Sequence, residues 1–159
     1  MTHNKAERTV VLIKPDALQR ALVGEIIKRF EQKGLKIVAL KLMELGDAIL
    51  SEHYSHHKEK PFFPKLKSFM MQAPIVAMVL EGIEAISVVR MIAGKTQGRE
   101  ADMGTIRGDL SMSTQANIVH SSDSKETAEA EIKRFFKENE IIDYVHGNFN
   151  FVYAEEERE

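Results

Sequence analysis

The chain has 159 residues, with 22 Lys and Arg against 24 Asp and Glu and a net charge of −2. That balance supplies no strongly basic face, so dedicated nucleic-acid binding is not expected. Cysteine is absent, which rules out disulfides and thiolate metal sites. No apolar run approaches the length needed to cross a membrane, and the polar start Met1-Thr2-His3-Asn4-Lys5 does not resemble a signal peptide. The cytoplasm is therefore the expected location. An apolar fraction of 43% can build a sizeable core. The length fits one domain over residues 1–159, with flexible ends at 1–6 and 155–159.

In chain order, the β-branched run Thr9 to Ile13 predicts a central strand halted at Lys14-Pro15-Asp16. Val23 to Gln32 places Ile26, Ile27 and Phe30 on one helical face, with Gly34 as the C-cap. Leu35 to Met43 reads as a second strand. Asp47 to Lys60 reads as a polar helix ended by Pro61, and a short helix then runs through Phe69. Pro74 to Glu81 is a third strand, which Gly82 turns into a helix over Ile83 to Ala93, stopped by Gly94. Gly94 to Ala116 has no period; a stretch this long inside a compact domain is functional or disordered, and its Lys95, Thr96, Arg99, Thr105 and Arg107 favour an anion-binding loop.

The fourth strand lies in Asn117-Ile118-Val119-His120-Ser121-Ser122-Asp123 and delivers one imidazole to a strand end. Asp123 and Glu126 have capping-box spacing, so a helix from Ser124 to Lys137 should begin just beyond His120. The element order fits a split βαβ arrangement of the α+β class. A dinucleotide-binding fold fits less well, because no glycine-rich turn follows the first strand.

His120 is the leading chemical candidate. An isolated histidine is most often a satisfied core residue, but Asn117, Ser122, Asp123 and the adjacent helix start point to function instead. No serine or cysteine nucleophile is set up, which leaves the imidazole itself as nucleophile. With a reference pKa of about 6.5, imidazole keeps a large neutral fraction at neutral pH. Glu131 falls on the inward side of the following helix with Ala128, Ile132 and Phe135. It either snorkels to water at an edge or hydrogen-bonds the far ring nitrogen of His120. Arg90, Thr96 and Arg107 form a third set; glycines flanking Arg107 allow a bend from which a guanidinium could fork onto phosphate oxygens. Gly94-Lys95-Thr96 fails as a P-loop ending, because the leading glycine position is Val89. His53, His56 and His57 have i, i+3 and i+4 spacing, from which a helical pair could hold a metal, but no base carboxylate lies between the ligands, no further ligand is evident, and they read as a solvated face.

Several segments together resemble the nucleoside diphosphate kinase family: Ile13-Lys14-Pro15-Asp16, Gly24-Glu25-Ile26-Ile27, His53-Tyr54, Lys60-Pro61-Phe62-Phe63, Gly104-Thr105-Ile106-Arg107-Gly108-Asp109 and the His120 motif. The likeness spans Glu7 to Tyr153. It implies a ferredoxin-like α+β sandwich, a four-stranded antiparallel sheet covered by helices. It also implies ping-pong transfer of a γ-phosphate from a nucleoside triphosphate to a nucleoside diphosphate through phospho-His120, with Mg2+ carried by the nucleotide phosphates. Glu131 would orient His120, with Ser122 beside the pair, while Lys14 and Tyr54 would stabilise the transferring group. Arg90, Thr96 and Arg107 would hold the outer phosphates, and Asn117 with Lys14 the sugar hydroxyls. Phe62 would stack on the base, His57 would lie near phosphate, and Thr114 would lie against the base. A homo-oligomer (hexamer, tetramer or dimer) is implied, with low base specificity. Gly98 stands where members usually carry a loop proline, so Gly98→Pro is expected to raise stability if the backbone there accepts proline. The alternatives are a silent regulatory module, which the retained catalytic positions oppose, and a ferredoxin-like nucleic-acid binder, which the net charge opposes.

Overall fold

The computed structural model describes residues 5–158. Of the ends expected to be flexible, residues 1–4 and 159 lie outside the described residues.

Four strands form one antiparallel sheet: β1 (Ala6–Ile13), β2 (Lys36–Met43), β3 (Ile75–Ile83) and β4 (Val119–Ser121), in the order β2-β3-β1-β4. The two central strands read as near-continuous apolar runs because both faces of the sheet are covered. Alternation then sorts their side chains. Val10, Leu12, Ala77 and Val79 join one core layer with Leu50, Leu66, Met70 and Phe135. Val11, Ile13, Val76, Met78 and Leu80 join the opposite layer with Ile26, Phe30, Val89 and Ile106. The first layer is roofed by α3 (Asp47–His53), α4 (Phe63–Met70) and α7 (Lys125–Phe135). The second is roofed by α2 (Val23–Lys33), α5 (Ala85–Ala93) and α6 (Ile106–Leu110), with α1 (Pro15–Gln19) following β1.

Gly34 caps α2 in the left-handed region at φ 101°, as the sequence predicts. Four local expectations are corrected. The helix begun at Asp47 stops at His53 instead of reaching Lys60; the backbone leaves helical geometry at Tyr54, and a single 3-10 turn covers Ser55–His57. The third strand runs through Gly82 to Ile83, and the turn into α5 falls on Glu84, at φ 52°. The cap of α7 is Ser124, not Asp123: the Ser124 hydroxyl accepts from the Thr127 amide at 3.1 Å, and the helix ends at Phe135. The aperiodic stretch after Gly94 is ordered by a 3-10 turn at Gly98–Glu100 and by α6. After α7, two short helices, α8 (Phe149–Val152) and α9 (Glu155–Arg158), close the described chain.

Candidate functional site

Where β1 ends and β4 begins, the sheet opens into a cavity of about 930 Å³. β4 pairs with β1 through Leu12 and His120, which brings Lys14, just past β1, alongside Asn117 and His120. The start of α7 follows β4 directly and returns Glu131, two turns along, beneath the imidazole.

His120 Nε2 lies 2.8 Å from Glu131 Oε1, and Ser122 Oγ donates to Glu131 Oε2 at 2.5 Å. Glu131 is only 3% exposed. Burial alone would raise its carboxyl, but the His120 and Ser122 hydrogen bonds outweigh this and hold it below the usual carboxylate range. An ionised carboxylate accepts only, so the proton of neutral His120 resides on Nε2 and the lone pair on Nδ1. The arrangement prepares one ring nitrogen as a nucleophile.

Lys14 Nζ donates to Asn117 Oδ1 at 2.6 Å and to the Gln115 carbonyl at 3.3 Å. Burial, aided by the Arg107 charge and opposed by Asp16, pushes the Lys14 ammonium down to about 8. Asn117 also donates from Nδ2 to the Thr96 carbonyl at 3.0 Å, tying β4 to the loop after α5. Arg107 has a structural duty besides the one its glycine-flanked motif suggests. Its guanidinium donates to three backbone carbonyls, those of Gly94 (2.7 Å), Asn117 (3.1 Å) and Val119 (2.6 Å). Burial and the neighbouring Arg90 charge lower it to about 10. Arg107 is thus an internal brace whose remaining N–H edge lines the cavity. Gly108 is required for close approach, since a Cβ there would collide with the Asp102 carbonyl.

Arg90 and Thr96 are exposed on the cavity wall with Lys95, giving that wall a positive lining. At the opposite wall stand Phe62, 45% exposed, and His57, whose ring meets Phe62 edge-on at 5.2 Å. Thr114 lines the mouth and donates to Gln97 Oε1 at 2.6 Å. Tyr54 is buried beside Glu131, and both burial and that charge push its phenol up. The expected site residues therefore converge on one cavity, except that Ser122 sits behind it and touches it through Glu131.

The histidine cluster is where the sequence analysis fails. His56 is exposed, but His53 is 5% exposed and packs edge-on against His120, with ring centroids 4.6 Å apart. Burial first, then the neighbouring His120, lowers His53 to about 3, so it stays neutral. The available signal was helical spacing: His53 lies three residues after Leu50, which is fully buried. His53, His120 and Glu131 offer donor atoms within 4.8 Å of one another. A metal there would have to break the hydrogen bond between His120 Nε2 and Glu131 Oε1.

A family model for nucleoside diphosphate kinase matches residues 7–141. The chain is 56% identical over 151 residues to the nucleoside diphosphate kinase of Parabacteroides distasonis, covering 95% of this chain and 99% of that one. It is 59% identical over 138 residues to the enzyme of Staphylothermus marinus, covering 87% and 98%. Among solved structures, it is similar to a halophilic nucleoside diphosphate kinase from Halobacterium salinarum in complex with CDP. That likeness has a TM-score of 0.91 and 42% identity, covering 92% of this chain and 98% of that one.

Proposed function

The chain belongs to the nucleoside diphosphate kinase family and transfers phosphate between nucleotides; from that premise we propose that the phosphoryl group travels by way of His120. The observation that carries this reading is the 2.8 Å contact between His120 Nε2 and the buried Glu131 carboxylate at the edge of a positively lined cavity. With Nε2 engaged, Nδ1 attacks the γ-phosphorus of a nucleoside triphosphate, and the bond to the β-phosphate oxygen breaks. The diphosphate leaves, and an incoming diphosphate oxygen takes the group from Nδ1 in the reverse displacement. Glu131 stabilises the ring as it gains positive character, and Ser122 holds Glu131 in place. Lys14, Tyr54 and the free edge of Arg107 face the group in flight, where preorganised donors stabilise redistributed charge.

In this reading Arg90 and Thr96 bind the outer phosphates, Lys14 and Asn117 the sugar hydroxyls, and Phe62 the base, with His57 and Thr114 at its margins. Mg2+ comes with the nucleotide. The donor set supports that assignment: of the cavity carboxylates, Glu131 is engaged and Asp123 stands at the rim. The ion would screen phosphate charge while Lys14, Arg90 and Arg107 orient the chain. The protein is further read as one domain acting in the cytoplasm as a homo-oligomer; among the described residues, no helix is long and apolar enough to cross a membrane.

The test is incubation with γ-labelled ATP. An acid-labile, base-stable phosphoprotein is expected, absent in His120→Gln, together with parallel-line kinetics. Ternary-complex kinetics without a labelled protein would defeat the proposal.

A further inference from the structure

Ile118, between Asn117 and the strand that carries His120, adopts φ 76°. Among the described residues three non-glycines have positive φ, and Ile118 is the β-branched one, the type that tolerates this region least. The Val119 amide donates to the Asn117 carbonyl at 2.9 Å, two residues back. This is a γ-turn of the rare, strained hand. Glycine would adopt it freely, but the Ile118 side chain is fully buried in the layer with Val11, Ile13 and Ile106. The conformation persists because its surroundings over-determine it.

The restraints come from two directions. Arg107 bonds the carbonyls on either side of the turn, those of Asn117 and Val119. The segment after β1 grips the middle: the Lys14 amide donates to the Ile118 carbonyl at 2.9 Å, and the Ile118 amide donates to Asp16 Oδ2 at 3.1 Å. The other Asp16 oxygen is withdrawn from solvent and has no hydrogen-bond partner among the described residues. Leaving such an oxygen unpaired is unfavourable, and the proposed function uses Asp16 for nothing. Among the described residues, the one hydrogen bond of its carboxylate is to the strained amide.

The geometry points to Asp16 as a positioning residue of phosphate transfer: by holding the Ile118 amide it fixes the turn that sets Asn117 and His120 in register. Asp16 is not among the residues that line the cavity. It acts on the link between the residue assigned to the sugar and the residue assigned to the phosphate, and so rests on the reading of both given above. If the turn relaxes, Asn117 and His120 keep their identities but lose their relative placement, and a misplacement near 1 Å is costly in rate.

The experiment compares Asp16→Asn, Asp16→Ala and Asp16→Glu in the full chain, with ATP and 3′-deoxy-ATP as donors. Asparagine keeps a carbonyl oxygen for the Ile118 amide and is expected to stay within about threefold of the parent. Alanine removes the acceptor; kcat should fall at least about tenfold, and preference for ATP over the 3′-deoxy analogue should shrink at least about threefold. Glutamate keeps the charge but displaces the acceptor, so it should behave like alanine, and it replaces alanine in the comparison if that variant does not fold. A lowered melting temperature with unchanged kcat and sugar preference in both alanine and glutamate variants would reduce Asp16 to a structural role and overturn the proposal. So would an asparagine variant as damaged as the alanine one. Labelling of His120 in the parent protein separates the two levels. If the parent takes no label, the site reading fails and takes this proposal with it. If it labels normally while Asp16→Ala matches its rate and preference, the positioning role alone fails.

Discussion

At the scale of single residues, the site depends on charges kept where water would otherwise screen them. The buried Lys14 ammonium is depressed from 10.5 to about 8, with burial the main cause and the Arg107 charge adding to it. Its two consequences have opposite signs. Between about pH 8 and 10.5 the unfolded chain binds the proton that folded Lys14 has released, so Lys14's contribution to stability rises with pH across that window. The cation is what the phosphate needs, so kcat/KM should fall above about pH 8 over the same range. Bound phosphate favours the ammonium, so the corresponding limb in kcat should lie at higher pH. A pH profile flat to pH 10 would remove Lys14 from phosphate contact.

Arg107 belongs to the same scale but has two duties. Its three bonds to backbone carbonyls join the loop after α5 to β4, so Arg107→Ala should lower both kcat and stability. Losing a charged donor at the reacting group costs roughly 10²-fold in kcat. Leaving three carbonyls short of a donor costs on the order of 3 kcal/mol. Arg107→Lys should recover little of either, because an ammonium cannot reproduce the planar fork. Wild-type melting with reduced kcat would show that the brace is dispensable.

At the scale of elements, the ends of short segments carry the precision. α7 must start in register for Glu131 to meet His120, and its start is held by Ser124 bonding the Thr127 amide. Ser124→Ala should cost about 1 kcal/mol in stability, readable by urea denaturation, with a smaller loss of activity. The loop at Gly98 reverses the expectation that proline would stiffen it with benefit. A Cβ at Gly98 would meet the Ser111 carbonyl and hydroxyl oxygens, each at 2.5 Å. Proline and alanine both carry that atom, so either substitution should cost about 1–3 kcal/mol of stability through overpacking and lower the melting temperature. An unchanged or higher melting point for Gly98→Ala would mean that Ser111 yields easily.

At the scale of the whole molecule, the sheet leaves part of one edge open. The Val38 carbonyl of β2 is already taken by the Ile142 amide and that of Ile37 by the Tyr144 hydroxyl. Farther along β2, Leu40 and Leu42 remain 50% and 63% exposed. An exposed apolar strand edge is a template for pairing with a second copy. On the oligomer proposed above, Leu42→Lys should reduce the mass measured by analytical ultracentrifugation. A monomeric parent protein would refute the assembly outright.

Much of this protein is legible in its sequence. The four strands and the α+β class follow from short-range signals, apolar runs and helix stops, and motif residues single out His120, Arg90, Thr96 and Arg107. Those signals are local because backbone propensity and alternation are local. The grouping of those residues with Lys14 and Asn117 about one nucleotide was implied by the resemblance to nucleoside diphosphate kinases. What the sequence could not decide was set by contacts between distant segments. His53 lies in a polar helix, yet packing against His120 and Phe135 makes it a buried, neutral ring. Arg107 looked free to fork onto phosphate, but three carbonyls from other parts of the chain take three of its N–H donors and make it a brace as well. Glu131 had an edge and a buried option, and only the pairing of β4 with β1 brought His120 over it. The strained turn at Ile118 has no local signature at all, because a β-branched residue disfavours positive φ unless Asp16, Lys14 and Arg107 hold it there.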